Sequence, residues 1–209
     1  FTNGTPDETN GGHIEKSGLD KAIFSGDGYD KASTSYFTVG GNGTGELDLD
    51  VNTGTTLTLT TNPDTFYVGY GSGNEGIVTQ SSGTVSTGEF LVGNNGSTGT
   101  YNLNGGDLET NGTVKNYDTI EIGSGSTFTS LRTGGSTEIH GAGAEGASIN
   151  VTGGSYHSRL GITVYGQFHV AGSGNGSQNI EFGRDGYDAN WSQEDVGALS
   201  LALDDGGVT

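Results

Sequence analysis

Two segments far apart in this chain carry nearly the same carboxylate-bearing turn. Phe24-Ser-Gly-Asp27-Gly28-Tyr29-Asp30 recurs as Phe182-Gly-Arg-Asp185-Gly186-Tyr187-Asp188, with five identities in seven positions across 158 residues. Asp27 with Asp30, and Asp185 with Asp188, set two carboxylates three residues apart around a glycine. That spacing lets both point at one hard cation while backbone carbonyls complete an oxygen shell, so the chemistry it suggests is calcium binding. The same residues also read as two plain Asp-Gly corners, each packing a Phe and a Tyr. The full D-x-D-x-D-G signature of a calcium loop is missing. Calcium is the one cofactor the sequence suggests.

Catalytic constellations are sparse. A polysaccharide lyase needs a base to abstract a proton, and the basic residues in the middle of the chain are Lys115, Arg132 and Arg159. A hydrolase needs two carboxylates about 5 to 9.5 Å apart, a condition that many Asp/Glu pairs in an acidic chain meet by accident. His13, His140, His157 and His169 show no metal-ligand spacing; His157 beside Tyr156 and His169 beside Phe168 read as strand residues. No catalytic residue is assigned, and a non-enzyme is expected. Two binding chemistries remain. Tyr67, Tyr70, Tyr101 and Tyr165 offer aromatic faces for sugar rings, against the commoner role of half-buried strand tyrosines. Thr55-Thr56-Leu57-Thr58-Leu59-Thr60-Thr61 has threonines at period two, as a water-ordering face would, but it occurs once, and β propensity explains it.

Seven basic residues against 25 acidic ones give a net charge of −18. Nucleic acid and anionic lipid surfaces are repelled by such a chain. The acids are spread through strands and ends rather than gathered in a tail, which reads as a solvated surface. No apolar run approaches the ~20 residues that span a bilayer. The chain has no Cys and no Met and begins at Phe1, so it reads as a processed mature protein or a fragment, and the lack of Cys is compatible with export. Seven N-x-S/T sequons, beginning at Asn3, Asn42 and Asn95, follow from its many Asn-Gly-Thr and Asn-Gly-Ser steps.

The elements that must position these residues are short strands. Period-two alternation bounded by Gly, Asn, Ser and Asp recurs throughout, and 42 of 209 residues are glycine, which suits turns at many corners. Four similar openings stand out: Phe37-Thr-Val39-Gly40, Phe66-Tyr-Val68-Gly69, Phe90-Leu-Val92-Gly93 and Ile120-Glu-Ile122-Gly123. Aligned on Val39, Val68, Val92 and Ile122, they are 29, 24 and 30 residues apart, a period that identifies a solenoid whose turns accept insertions. With 29% hydrophobic residues the chain fills a thin core but not a broad one. The fold class expected is all-β, a parallel β-helix with atypical capping ends; an antiparallel β-sandwich or jelly roll is the alternative. Asp48 and Asp50, alternating with Leu47, Leu49 and Val51, are expected on an outer face.

The run Phe90-Leu-Val-Gly-Asn-Asn-Gly-Ser-Thr-Gly-Thr-Tyr-Asn-Leu-Asn-Gly-Gly-Asp-Leu resembles the repeats of large bacterial surface and exported proteins. These are the autotransporter-associated β-strand repeats and those of planctomycete and verrucomicrobial sorting-signal proteins. The similarity covers residues 37 to 155. It implies a secreted, β-helical scaffold or adhesive protein and transfers no catalytic residue.

Three regions are expected: an N-terminal arm and cap over 1–35, a repeat body over 36–165, and a C-terminal cap or the start of a following β segment over 166–209. The arm opening Phe1-Thr2-Asn3, ahead of Pro6, can add as a strand to a neighbouring subunit, with Leu199, Leu201 and Leu203 as the acceptor or its cap. The function expected is an extracellular or cell-surface structural protein, a self-associating building block of a fibre, surface layer or adhesive scaffold. The alternative is a β-helix that binds or degrades extracellular polysaccharide.

Overall fold

A computed structural model of the chain describes residues 13–26, 36–60, 63–131, 137–140, 147–158, 161–164, 167–171, 179–182, 190–193 and 198–202. Among the described residues every regular element is a strand, and the strands form three stacked sheets. Sheet 1 runs His13–Lys16, Tyr36–Val39, Thr65–Tyr70, Glu89–Asn94, Val114–Asn116, Thr137–Ile139, Gly161–Val164, Asn190–Gln193. Sheet 2 runs Gly18–Gly26, Thr44–Val51, Glu75–Ser82, Thr98–Leu103, Thr119–Ile122, Ser148–Val151, Gln167–Ala171, Ala198–Ala202. Sheet 3 holds Thr56–Thr58, Thr84–Thr87, Gly106–Thr110, Ser126–Ser130, Ser155–Ser158 and Asn179–Phe182. The chain visits the sheets in turn, one circuit per coil, and each strand pairs in parallel with its counterpart in the next coil. This is a parallel β-helix. The antiparallel sandwich is excluded, because a sandwich joins antiparallel neighbours and every pairing among the described strands is parallel.

Alternation decides which side chains enter the core. On sheet 2, Leu47, Leu49 and Val51 are buried while Glu46, Asp48 and Asp50 face outward, as their order in sequence requires. On sheet 1, Val39 pairs with Val68 and Val68 with Val92, a single inward column. The next member is Asn116, followed by Ile139. Ile122 belongs elsewhere: it lies on sheet 2 between Leu103 and Val151. The fourth opening of the repeat is therefore Val114-Lys115-Asn116-Tyr117, which keeps none of the Phe-x-Val-Gly signature.

Core volume explains why that signature fails at the fifth coil. Phe37, Phe66 and Phe90 stack along sheet 1 with ring centroids 5.4 and 5.5 Å apart. Facing them on sheet 3 is the aliphatic column Leu57, Val85, Leu108. One coil later the partition reverses: sheet 1 carries Val114 and then Thr137, and sheet 3 carries Phe128 and then Tyr156. The aromatic column crosses the core where Phe90 meets Phe128 edge to face at 6.1 Å. A close-packed interior holds about constant volume per coil, so an aromatic lost from one wall must be regained on another.

The corner between sheets 1 and 2 is built of glycine in coils two to four, with Gly40 and Gly45, Gly69 and Gly76, and Gly93 and Gly99 in equivalent places. A Cβ on Gly76 would overlap Gly69 N and Val39 O, so one coil's backbone lies directly on the next. At coil five Tyr117 and Asp118 take over this corner. Asp118 Oδ2 accepts from Gly99 N at 2.8 Å, and Asp118 N donates to Asn116 Oδ1 at 3.1 Å. Asn74 stitches neighbouring corners: its Nδ2 donates to Gly41 O (2.6 Å) and Tyr70 O (2.7 Å), and its Oδ1 accepts from Gly43 N (2.8 Å).

Two tyrosines lie wholly inside the core. Tyr101 donates its hydroxyl to Gln80 Oε1 at 2.6 Å, and Gln80 Nε2 donates on to Gly83 O and Asp107 O. Tyr156 donates to Thr137 Oγ1 at 2.8 Å. Burial raises both phenols, Tyr156 to about 12 and Tyr101 further still. An unfolded tyrosine ionises near pH ~10. A folded pKa above the unfolded one contributes stability that is complete below the unfolded value and is lost as pH climbs through the folded one. Circular dichroism should therefore show the β-helix intact up to about pH 10 and unfolding from there through about 12, with tyrosinate absorbance of the two buried rings appearing in the same transition. Ionisation of both rings well before any loss of sheet signal would contradict this.

Candidate binding face

The three outer faces differ. Sheet 2 presents polar rows, such as Asp48, Thr79, Asn102, Glu121, Asn150. Carboxylates in these rows are spaced by neutral residues, and Asn150 Nδ2 donates to Glu121 Oε1 at 2.6 Å. Sheet 3 reads Thr56, Thr84, Asp107, Thr127, Ser155 in one row and Thr58, Ser86, Glu109, Thr129, His157 in the next. In none of these rows does one carboxylate sit directly beside another, and like charges side by side across strands are what destabilises a sheet. Spacing of this kind keeps like charges apart on the described faces of sheets 2 and 3.

Sheet 1 and its corner carry tyrosines instead. Tyr36 is 46% exposed and Tyr70 41%, with Tyr67 half-buried between them. Ring centroids are 5.8 Å apart for Tyr36 and Tyr67 and 4.7 Å for Tyr67 and Tyr70. Tyr67 and Tyr70 meet, although they are three apart on one strand, because Gly69 between them adopts φ +77°. That left-handed residue breaks the alternation and returns Tyr70 to the outer side. Burial raises the Tyr67 phenol, and the nearby rings of Tyr36 and Tyr70 and the Glu89 carboxylate add to the rise; a hydrogen bond with Thr65 opposes it. Glu89 accepts from Thr65 Oγ1 at 3.1 Å and from Thr113 Oγ1 at 3.2 Å, so hydroxyls on both sides hold the carboxylate. Farther along, Lys115 pairs with Glu138 at 3.1 Å, and His140 lies 3.0 Å from Glu138 while its ring stacks on Tyr117 at 4.4 Å.

The sequence-derived candidates fare unevenly. Asp27, Asp30, Asp185 and Asp188 lie outside the described residues, as do Phe1, Thr2, Asn3 and Leu203, Arg132, Arg159, Tyr165 and Thr61. Leu199 and Leu201 fall in Ala198–Ala202, the end strand of sheet 2 among the described residues. Among the described residues no three His, Cys, Asp or Glu side chains come together to hold a metal ion, and no helix is long and apolar enough to cross a membrane. Lys115, offered as a base, is engaged with Glu138. Tyr101 is corrected from a surface ring to a core one with no exposure. In the threonine run, Thr56 and Thr58 face outward, but Thr60 turns inward to bond Thr87 Oγ1 at 2.6 Å, and Asp107 and Glu109 interrupt the rows beyond. Tyr36 and Tyr117 went unnoticed in the sequence. The signal for Tyr36 was present: with Phe37 and Val39 inward, alternation sends Tyr36 out.

Comparison with protein-family models, with curated proteins and with solved structures finds no match to this chain.

Proposed function

We propose that the protein is an extracellular structural protein, a self-associating building block of a fibre, surface layer or adhesive scaffold. The observation that supports this reading is the repetitive solenoid itself, whose coils stack on a continuous interior of side chains. Such a body gains stability coil by coil from neighbour contacts and presents long flat faces, which suits bearing and displaying better than enclosing a reaction. The resemblance of its glycine-cornered repeats to those of bacterial exported proteins supports the same role and an extracellular or cell-surface place.

The contact expected is strand addition of the arm that opens Phe1-Thr2-Asn3 beside the sheet-2 strand that carries Leu199 and Leu201 in a neighbour. A head-to-tail contact whose rotation does not close grows a filament. Electron microscopy and sedimentation of the full chain should show polymers, and deletion of residues 1–12 should leave a folded monomer with unchanged β-sheet circular dichroism. Polymers that persist after the deletion would remove the arm from the contact. A full chain that stays dispersed while it depolymerises a glycan would replace the scaffold with the enzyme.

A further inference from the structure

We propose that the outer face of sheet 1 at Tyr36, Tyr67 and Tyr70, with Glu89 beside them, binds a neutral polysaccharide. This goes beyond the scaffold reading and does not depend on self-association. The three rings form one cluster, with Tyr36 and Tyr70 each over two-fifths exposed. Such rings present flat apolar faces with a polar tip, the surface that suits the C–H face of a sugar ring. Glu89 supplies the other half of sugar chemistry. Each of its carboxylate oxygens already accepts one threonine hydroxyl, and a carboxylate offers about four acceptor sites, so it can take further hydroxyl donors from a sugar.

Charge selects the occupant. A chain of net charge −18 with a carboxylate in the patch repels polyuronates and sulfated glycans. It equally opposes a second copy laid face to face, and the cores of protein interfaces are depleted in charged residues. On the same face, the Lys115 ammonium is held by Glu138, which leaves it poorly placed to recruit an acidic partner. A ligand rich in hydroxyls and free of charge meets no such penalty. The placement is also specific: Gly69 turns Tyr70 back beside Tyr67, and the outer faces of sheets 2 and 3 are built mainly of threonine, serine, asparagine and carboxylates.

The test is affinity electrophoresis of the full chain in native gels containing a soluble neutral glucan, a neutral galactomannan, a neutral xylan or anionic polygalacturonate. Retardation by at least one neutral polymer and none by polygalacturonate is expected. Tyr36→Ala and Tyr70→Ala should each weaken that retardation about tenfold, in line with the loss of one ring contact. Tyr70→Trp should preserve it, and Tyr117→Ala, two coils beyond Tyr67 and Tyr70, should leave it unchanged. Circular dichroism checks that each variant is folded. The proposal falls if no neutral polymer retards the protein, if folded Tyr36→Ala and Tyr70→Ala bind as the parent does, or if polygalacturonate binds best. It also falls if the alanine substitutions instead dissolve an oligomer seen by sedimentation, which would make the face a contact between copies. Loss of polymers on deleting residues 1–12 is read separately, so failure of the scaffold and failure of the glycan site remain distinguishable.

Discussion

Val92→Asp should leave the protein unfolded at room temperature. Val92 has no exposure, sits between Val68 and Asn116 in the inward column of sheet 1, and lies where the aromatic ladder crosses the core. A carboxylate there meets no cation. The polar neighbour cannot compensate, because Asn116 already donates to Ser148 O at 2.7 Å and accepts from Asp118 N. An unpaired buried charge costs about 3 to 5 kcal/mol or more, a large share of the stability of a domain this size. Val92→Ala, which removes two methyl groups and leaves a small cavity, should cost only about 2 kcal/mol and keep the fold. Far-UV circular dichroism and urea melts read both. A folded Val92→Asp with near-parental stability would mean that this column is wet and that the sheet-1 wall of the core is misassigned.

The same column shows how far the sequence could be read. Alternation and glycine punctuation identify strands and faces because each strand has one dry side, and that suffices for the parallel solenoid, the Val39–Val68–Val92 column and the outward Asp48 and Asp50. Register at coil five was not legible. The motif being followed, a hydrophobic residue and then glycine, marks more than one corner, so Ile122-Gly123 at the end of a sheet-2 strand imitates Val92-Gly93 at the end of a sheet-1 strand. The true counterpart, Asn116-Tyr117, keeps the geometry by other means: Asn116 is a buried polar residue with both ends of its amide bonded, and Asp118 replaces a glycine by accepting the Gly99 N–H. The exchange of aromatics between sheets 1 and 3 is a volume relation between positions tens of residues apart, which no local pattern records. For the candidate face, Tyr67 and Tyr70 were legible as tyrosines, but their meeting depends on the φ of Gly69. Tyr101 shares the alternating pattern of the surface rings and is distinguished only by the sheet wall it faces.

Glycine corners give the other large effect, and a pair of neighbouring residues separates its two causes. Gly73 has φ +77° and open space where a Cβ would go, so Gly73→Ala should cost only the left-handed backbone penalty of about 1 to 2 kcal/mol. Gly76 has an ordinary φ, but an added Cβ would overlap Gly69 N and Val39 O, which are backbone atoms of its own corner and of the coil before. No rotamer change relieves that overlap. The strands must move apart, lengthening the sheet hydrogen bonds on which Glu75–Ser82 pairs with Thr44–Val51. Gly76→Ala should therefore cost about 3 kcal/mol or more, beyond the usual range of overpacking against side chains, which can shift. Gly99→Ala should behave alike, since its Cβ would overlap Val68 O one coil further on, and the match between the two would show that the corner repeats as a unit. Urea denaturation of the three variants decides it. A Gly76→Ala loss no larger than that of Gly73→Ala would mean that the contact of Gly76 with Gly69 N and Val39 O yields to a methyl group and that the coils are not seated backbone on backbone.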